Sequence, residues 1–268
     1  MSWKNIKTFL ILLFIIINTY LILSANKPLF KNENITTVDK DTISDVAKII
    51  KNNYNVILKP DIVPSQITNL RNIDVTNIIY TDELKNSEYK FKVNGAGFEA
   101  DIKTDTFSYN EEIAREQIVK ILQDIGIEDN SYTLKCYKDD EGLICMVNQF
   151  FSGFPVLNGR IKAVCISSKI TIQGAWYITN AEDEKNIETS LKMTDVTSVI
   201  IDAAGACSRS DAAPVKIESV DYGYYVTSYA ENVVSKSSSA IPCYLVRTDS
   251  GLKYYYDASN GKAIKQEE

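Results

Sequence analysis

The sequence predicts an α+β protein: an N-terminal transmembrane helix followed by an ectodomain of repeated helix-plus-antiparallel-strand units. Three observations lead there. Residues 9–23 are almost wholly aliphatic or Phe and carry no charge. Three stretches, around Ile43–Tyr54, Ile113–Ile125 and Val196–Ala203, place apolar residues at helical spacing. After each, short alternating runs are separated by Gly-, Asn- or Asp-rich turns, the pattern of antiparallel strands.

The N-terminal run starts behind Trp3, Lys4 and Lys7 and carries Tyr20 near its far end. A helix needs about 20 apolar residues to span a bilayer core. Basic residues on one side keep that side in the cytoplasm, with Trp and Tyr as interface anchors. The layout expected is a cytoplasmic tail at 1–7, a transmembrane helix at 8–24 and a stalk at 25–37. An extracytoplasmic domain follows at 38–268, with sub-units 38–106, 107–190 and 191–268. A cleaved signal peptide is the rival, but its cleavage site wants small residues and Leu23 would sit at −3 of Leu23-Ser24-Ala25. Between Phe9 and Leu23 there is no Gly, Ala or Ser for close helix packing. Asn18, with Thr19 and Phe14, is therefore the candidate surface for contact with a partner helix in the membrane.

After the stalk, Ile43, Val46, Ala47, Ile50 and Tyr54 mark a first helix, with Asp39 or Thr42 as cap. Val75–Tyr80 is extended. Tyr89–Val93 and Phe98–Ile102 flank Asn94-Gly95-Ala96-Gly97 and read as a hairpin. Asn110 to Gly126 is the clearest helix, with acids at its start. Strands are expected at Tyr132–Tyr137, Leu143–Phe151, Arg160–Ile166 and Gln173–Ile178, with a loop over Phe154–Gly159. A third helix runs from Met193 to Ala206 with Thr194 as cap. Strands at Val215–Val220, Tyr222–Tyr229, Tyr244–Arg247 and Leu252–Asp257 complete the chain, and Ser235–Ser239 reads as a polar loop.

Composition narrows the function. The 268 residues hold 29 basic and 35 acidic side chains, a net charge of −6. That balance is a poor match for nucleic acid. There is no histidine, so Ser-His-Asp and Cys-His catalysis and the common zinc sites have no residues to build them. No cofactor or metal is expected, and a non-enzyme is the reading. The carboxylates of Asp139-Asp140-Glu141 and Glu182-Asp183-Glu184 lie between elements and read as solvated turns. A hydrolase would need two carboxyls converging in a cleft from separate elements. The Tyr-rich stretches Tyr222–Tyr225 and Tyr254–Tyr256 read as alternating strand positions, with some rings in the core and others at the sheet surface.

Five cysteines are spread widely and none forms CxxC. Cys136 and Cys145 flank the turn Asp139-Asp140-Glu141-Gly142. A two-residue loop at Asp140-Glu141 would place them opposite each other, where a disulfide could close. A three-residue loop with Gly142 in a bulge would place Cys136 opposite Met146 instead. Buried free thiols are the ordinary alternative.

The start, Met1-Ser2-Trp3-Lys4-Asn5-Ile6-Lys7-Thr8 running into the apolar stretch with Asn18, resembles the N-terminus of YycI-type proteins. Gln149-Phe150-Phe151-Ser152-Gly153-Phe154-Pro155-Val156-Leu157-Asn158-Gly159 is similar to a segment that these and PepSY-like folds carry between two strands. The ending Ile241-Pro242-Cys243-Tyr244-Leu245-Val246 with Gly251–Gly261 resembles their closing hairpin. The YycI/YycH resemblance implies a membrane-anchored, non-catalytic regulator. Its implied partners are a sensor histidine kinase of the WalK/YycG type and a YycH-like protein, with cell-wall homeostasis as the process affected. A PepSY-like domain that restrains an extracytoplasmic protease or envelope ligand, and an acid-based wall hydrolase, are the alternatives.

Overall fold

The computed structural model describes residues 34–103, 110–140, 142–166, 168–210, 214–227 and 237–267. The chain begins with strand β1 (Ile35–Thr37), helix α1 (Lys40–Tyr54), and strands β2 (Val56–Leu58), β3 (Gln66–Thr68) and β4 (Ile73–Asn77). Helix α2 (Asp82–Lys85) leads to β5 (Lys92–Asn94), β6 (Gly97–Lys103) and helix α3 (Glu111–Asp124). Four strands follow: β7 (Tyr132–Asp139), β8 (Gly142–Phe151), β9 (Phe154–Ile166) and β10 (Lys169–Ala175). After β11 (Tyr177–Thr179) come helices α4 (Ala181–Lys185) and α5 (Val196–Ser210). The chain closes with β12 (Val215–Thr227), β13 (Ser237–Thr248), β14 (Lys253–Asp257) and β15 (Ala263–Glu267).

The predicted fold class is corrected here. Instead of repeated helix-plus-strand units, the described residues build one mixed sheet of thirteen strands, with a separate two-stranded β1–β3 pair. The sheet has two halves. In one, β7-β8-β9-β10-β6-β5 pair antiparallel throughout. In the other, β11-β4-β13-β12 carry β14 and β15 on one side, and β2 joins β12 in parallel. The halves meet where β12 and β9 run parallel at Tyr224 and Val156. The membrane helix is not supported either: no helix among the described residues is long and apolar enough to cross a membrane. The segment expected to do so, 8–24, lies outside the described residues. Ile35–Thr37, read from sequence as the end of a stalk, pairs as β1 with β3.

Helices follow their local signals. Asp39 caps α1 by accepting from the Thr42 amide at 3.3 Å. Ile43, Val46 and Ile50 face inward, and Asn55 ends the helix in the left-handed region at φ 56°. Asn110 caps α3 by accepting from the Glu112 amide at 2.9 Å, and Ala114, Ile118, Ile121 and Leu122 are buried. Helix α5 starts later than its sequence suggests. Asp195, rather than Thr194, takes the amide of Thr197 at 3.0 Å, while the Thr194 carbonyl accepts the Tyr244 hydroxyl at 2.8 Å.

Each half buries one face under its helices. Ile118, Ile121 and Leu122 of α3 pack on Val147, Ile161, Ala163 and Ile172. Ile43 and Ile50 of α1, with Val199 and Ile200 of α5, pack on Val56, Ile217, Tyr244 and Tyr256. The tyrosines are core rings with tethered hydroxyls: Tyr222 donates to the Thr68 carbonyl at 2.8 Å and Tyr224 to that of Arg71 at 3.1 Å. Tyr225 and Tyr255 form a smaller cluster with Cys243 and Leu245 on the sheet's other face.

Two loops expected from composition are strands. Phe154–Gly159 is the first part of β9, entered through Ser152 (φ 45°) and Gly153 (φ 88°). Two consecutive positive φ angles are what a tight hairpin turn needs. Ser237–Ser239 begins β13 and pairs with β4.

Glycine is required at the junction of the halves. A Cβ on Gly223 would run into the Pro155 carbonyl oxygen. Gly205, by contrast, faces the Tyr54 ring, and a Cβ there would make ordinary contact at 3.7 Å. The two should respond to alanine with opposite signs in thermal unfolding. Gly223→Ala should destabilise by about 1–3 kcal/mol through overpacking. Gly205→Ala, in a helix interior, should stabilise by about 0.5–1 kcal/mol. A Gly223→Ala protein that melts at the wild-type temperature would contradict the close approach of β9 and β12.

Candidate functional site

A cleft of about 200 Å3 opens beside the point where the two halves meet. Its floor is built by β8 and the β10–β11 passage, which supply Gln149, Phe151, Trp176 and Tyr177. Its rim carries Glu128 and Ser131, from the segment after α3, and Glu184 of α4.

The floor depends on one side-chain amide. The β8–β9 register slips between Asn148 and Phe150, which takes Gln149 out of the ladder. Gln149 is 2% exposed. Its Nε2 donates to the Tyr177 carbonyl and its Oε1 accepts the Tyr177 amide at 3.2 Å. The side chain therefore pairs with Tyr177 as a neighbouring strand would. Gly159 makes room for it, since a Cβ there would lie 2.5 Å from Gln149 Oε1. Gln149 and Gly159, the two ends of the segment singled out in the sequence, thus meet in space. Trp176 is buried beside them and sets its ring edge-on to Tyr132 at 6.3 Å.

The rim is acidic. Asn180 caps α4 by accepting from the Asp183 amide at 2.8 Å, and Asp183 is held by Arg71 at 2.8 Å. This leaves Glu184 turned to the cleft, with its carbonyl taking the Ser152 hydroxyl at 2.6 Å. Burial, and then the charge of Glu128, hold the Glu184 carboxyl above the usual range. Burial also pushes the Tyr177 hydroxyl up to about 12. Chemically, the cleft offers two carboxylates above an aromatic floor, a setting for a cationic or hydroxyl-rich group. Among the described residues no three Cys, Asp or Glu side chains gather to hold a metal.

Cys136 and Cys145 are directly opposite in the β7–β8 register and are bonded, with Cα atoms 4.0 Å apart. Asp139 pairs with Gly142, so the turn is the two-residue one. Cys165, Cys207 and Cys243 are buried thiols outside this bridge, and burial raises the Cys165 thiol to about 11. The residues expected in the membrane, Asn18, Thr19 and Phe14 with Trp3, Lys4, Lys7 and Tyr20, lie outside the described residues. Of the two acidic runs, Asp139 and Asp140 are exposed at a hairpin end, while Glu182–Glu184 opens α4. Sequence reading missed Glu128 and the cleft. The segment Gln149–Gly159 was the signal that could have found the floor; Glu184 stood in an acidic run read as a solvated turn, and Glu128 had no signal.

Two substitutions check the cleft. Gln149→Leu keeps the size but strands the Tyr177 amide and carbonyl, at a cost of about 2–5 kcal/mol in chemical unfolding. For Glu184, a carboxyl that binds its proton more tightly folded than unfolded supports the fold in acid and loses that support as pH rises above the ordinary Glu range. Glu184→Gln should therefore gain in stability relative to wild type from pH 4 to pH 7. A flat difference across that range would mean that Glu184 is solvated.

The chain matches no protein-family model and no curated protein. Among solved structures it is similar to an uncharacterized protein from Eubacterium rectale ATCC 33656, at 9% identity and a TM-score of 0.43. The match covers 74% of this chain and 86% of that one, and a likeness of that size carries no argument about function.

Proposed function

We propose that this chain is an extracytoplasmic regulatory protein that works by binding rather than catalysis. Its proposed partner is the sensor histidine kinase of the WalK/YycG type implied by the YycI/YycH resemblance, with a YycH-like protein alongside. Contact with the kinase would set its activity and so affect cell-wall homeostasis.

The observation that carries this reading is the Cys136–Cys145 bridge. Disulfides persist in oxidising compartments and are rare in the cytosol, so the bridge favours a domain working where a sensor kinase receives its signal. The lack of histidine in the sequence supports binding over catalysis. One observation favours a second reading. Glu128 and Glu184 come from separate elements to one cleft, and burial holds the Glu184 carboxyl above the usual range, which suits a carboxylate-based hydrolase.

Three measurements test the proposal. Alkylation of the denatured, unreduced protein should label three thiols, rising to the full five after reduction. Removing the bridge by Cys136→Ser with Cys145→Ser should cost about 2–3 kcal/mol, the figure for a short closed loop. The chain should also co-purify with the extracytoplasmic domain of the kinase. Labelling of all five thiols without reduction, or no retention of the kinase, would overturn the reading. Hydrolysis of wall polymer that disappears in Glu184→Gln would install the second one.

A further inference from the structure

The half-sheet under α3 has a second face on which no helix of the described residues packs. Alternation along β9 sends Ile161 and Ala163 to the α3 core and turns Arg160 and Lys162 the other way. Register extends this face across the strands. Lys135 stands opposite Met146, Met146 opposite Lys162, Lys162 opposite Gln173, and Gln173 opposite Glu99. Along it runs a trough of about 540 Å3 lined by Arg160, Lys162, Met146, Tyr137 and Gln173. Gly97 and Gly174 are also in its lining, where the backbones of β6, β10 and β9 approach closely. A Cβ on Gly174 would strike the Arg160 carbonyl oxygen, and one on Gly97 would sit 2.9 Å from that of Gly174.

Among the charged residues lining the trough Arg160 and Lys162 outnumber Glu99, so the lining is net positive in a chain that is net negative. Net charge is −6, yet Lys135, Arg160 and Lys162 form no ion pair with any described residue. Asp101, on the neighbouring row, is neutralised by Lys169 at 2.9 Å. Tyr137, 49% exposed, and Met146 add apolar surface beside the cations.

We propose that this face is the docking surface for an acidic, extended polypeptide segment of a partner, laid along β9. Arg160 and Lys162 are two residues apart on one strand, about 6.5 Å. Carboxylates at alternate positions of an extended peptide have that same spacing. An apolar residue among them would meet Met146 and Tyr137, surface that a uniform polyanion would not use. Salt-sensitive steering of the acidic partner toward this patch follows from cations without an ion-pair partner among the described residues, Lys135 and Arg160 exposed and Lys162 half-buried. The proposal rests on the reading of this chain as a binding protein and names the chemistry of what it binds.

The test uses the full chain and a fluorescein-labelled peptide of alternating Glu and Val, read by fluorescence anisotropy. The expected result is binding that weakens about tenfold in Arg160→Glu with Lys162→Glu, and weakens with added salt. A Lys-Val peptide should not bind. The neutral pair Arg160→Gln with Lys162→Gln should fall between, and thermal melts of both variants should match wild type because the altered side chains lie on the surface. No anisotropy change with wild type, or equal affinity in the charge-reversed variant, overturns the proposal. Inorganic polyphosphate that displaces the peptide with equal or higher affinity also overturns it, in favour of a polyanion site. Co-purification with the kinase domain keeps the two proposals apart. Loss of the kinase by wild type, with the peptide still bound, removes the kinase as partner and leaves this docking face standing.

Discussion

Strand β9 is shared by both halves of the sheet, and the rest of the architecture depends on how closely it can lie against β12. Its length, Phe154–Ile166, lets β8 pair with both its ends, while on the other edge one end pairs with β10 and the other touches β12 at a single parallel position. Backbones can approach there only because Gly223 offers no Cβ to the Pro155 carbonyl. Gln149 then fastens β8 to Tyr177 with two hydrogen bonds from one amide, in space left by Gly159. Remove either arrangement and the halves lose their register with each other. The cleft is a consequence of this junction, since its floor is the clamp itself.

Charge is distributed against the average. The cleft rim carries Glu128 and Glu184, and burial together with the charge of Glu128 holds the Glu184 carboxyl above its usual range. The helix-free sheet face carries Lys135, Arg160 and Lys162 without acidic partners among the described residues. A net charge near −6 is silent about both, because the field at a surface is set by local arrangement and screened within about 8–10 Å at physiological salt. The Cys136–Cys145 bridge lies on the opposite, α3-packed face of the same strands and ties down β7, which among the described residues pairs with β8 alone and is therefore an edge. An edge strand left loose is a template for unwanted pairing, and the bridge holds this edge on β8 from the side of the α3 core.

What was legible in the sequence was local. Helices α1 and α3 came with caps and apolar spacing that survive intact, at Asp39 and Asn110. Hairpins at Gly95-Ala96 and at Asp140 were marked by turn residues, and the structure places strands on both sides. Errors arose where composition pointed one way and partners the other. Pro155 and Gly159 made the start of β9 look like a loop, and three serines did the same for the start of β13. Both segments are strands because a neighbour, β8 or β4, supplies hydrogen bonds that a polar or Pro-bearing segment would otherwise take from water.

The sequence by itself determined the elements whose signals lie within a few residues of one another, and it excluded histidine chemistry. It also placed Cys136 and Cys145 on either side of a turn, where register alone decided whether they meet. Only the tertiary structure decided that the sheet is mixed rather than built of repeated antiparallel units. Val56 pairs with Val215, and Tyr224 with Val156, across separations that leave no periodic trace in either segment. Glu128 and Glu184 likewise share a cleft with nothing in their own neighbourhoods to announce it. Periodicity records which face of a segment is buried, whereas the identity of what buries it is settled by chain-wide packing.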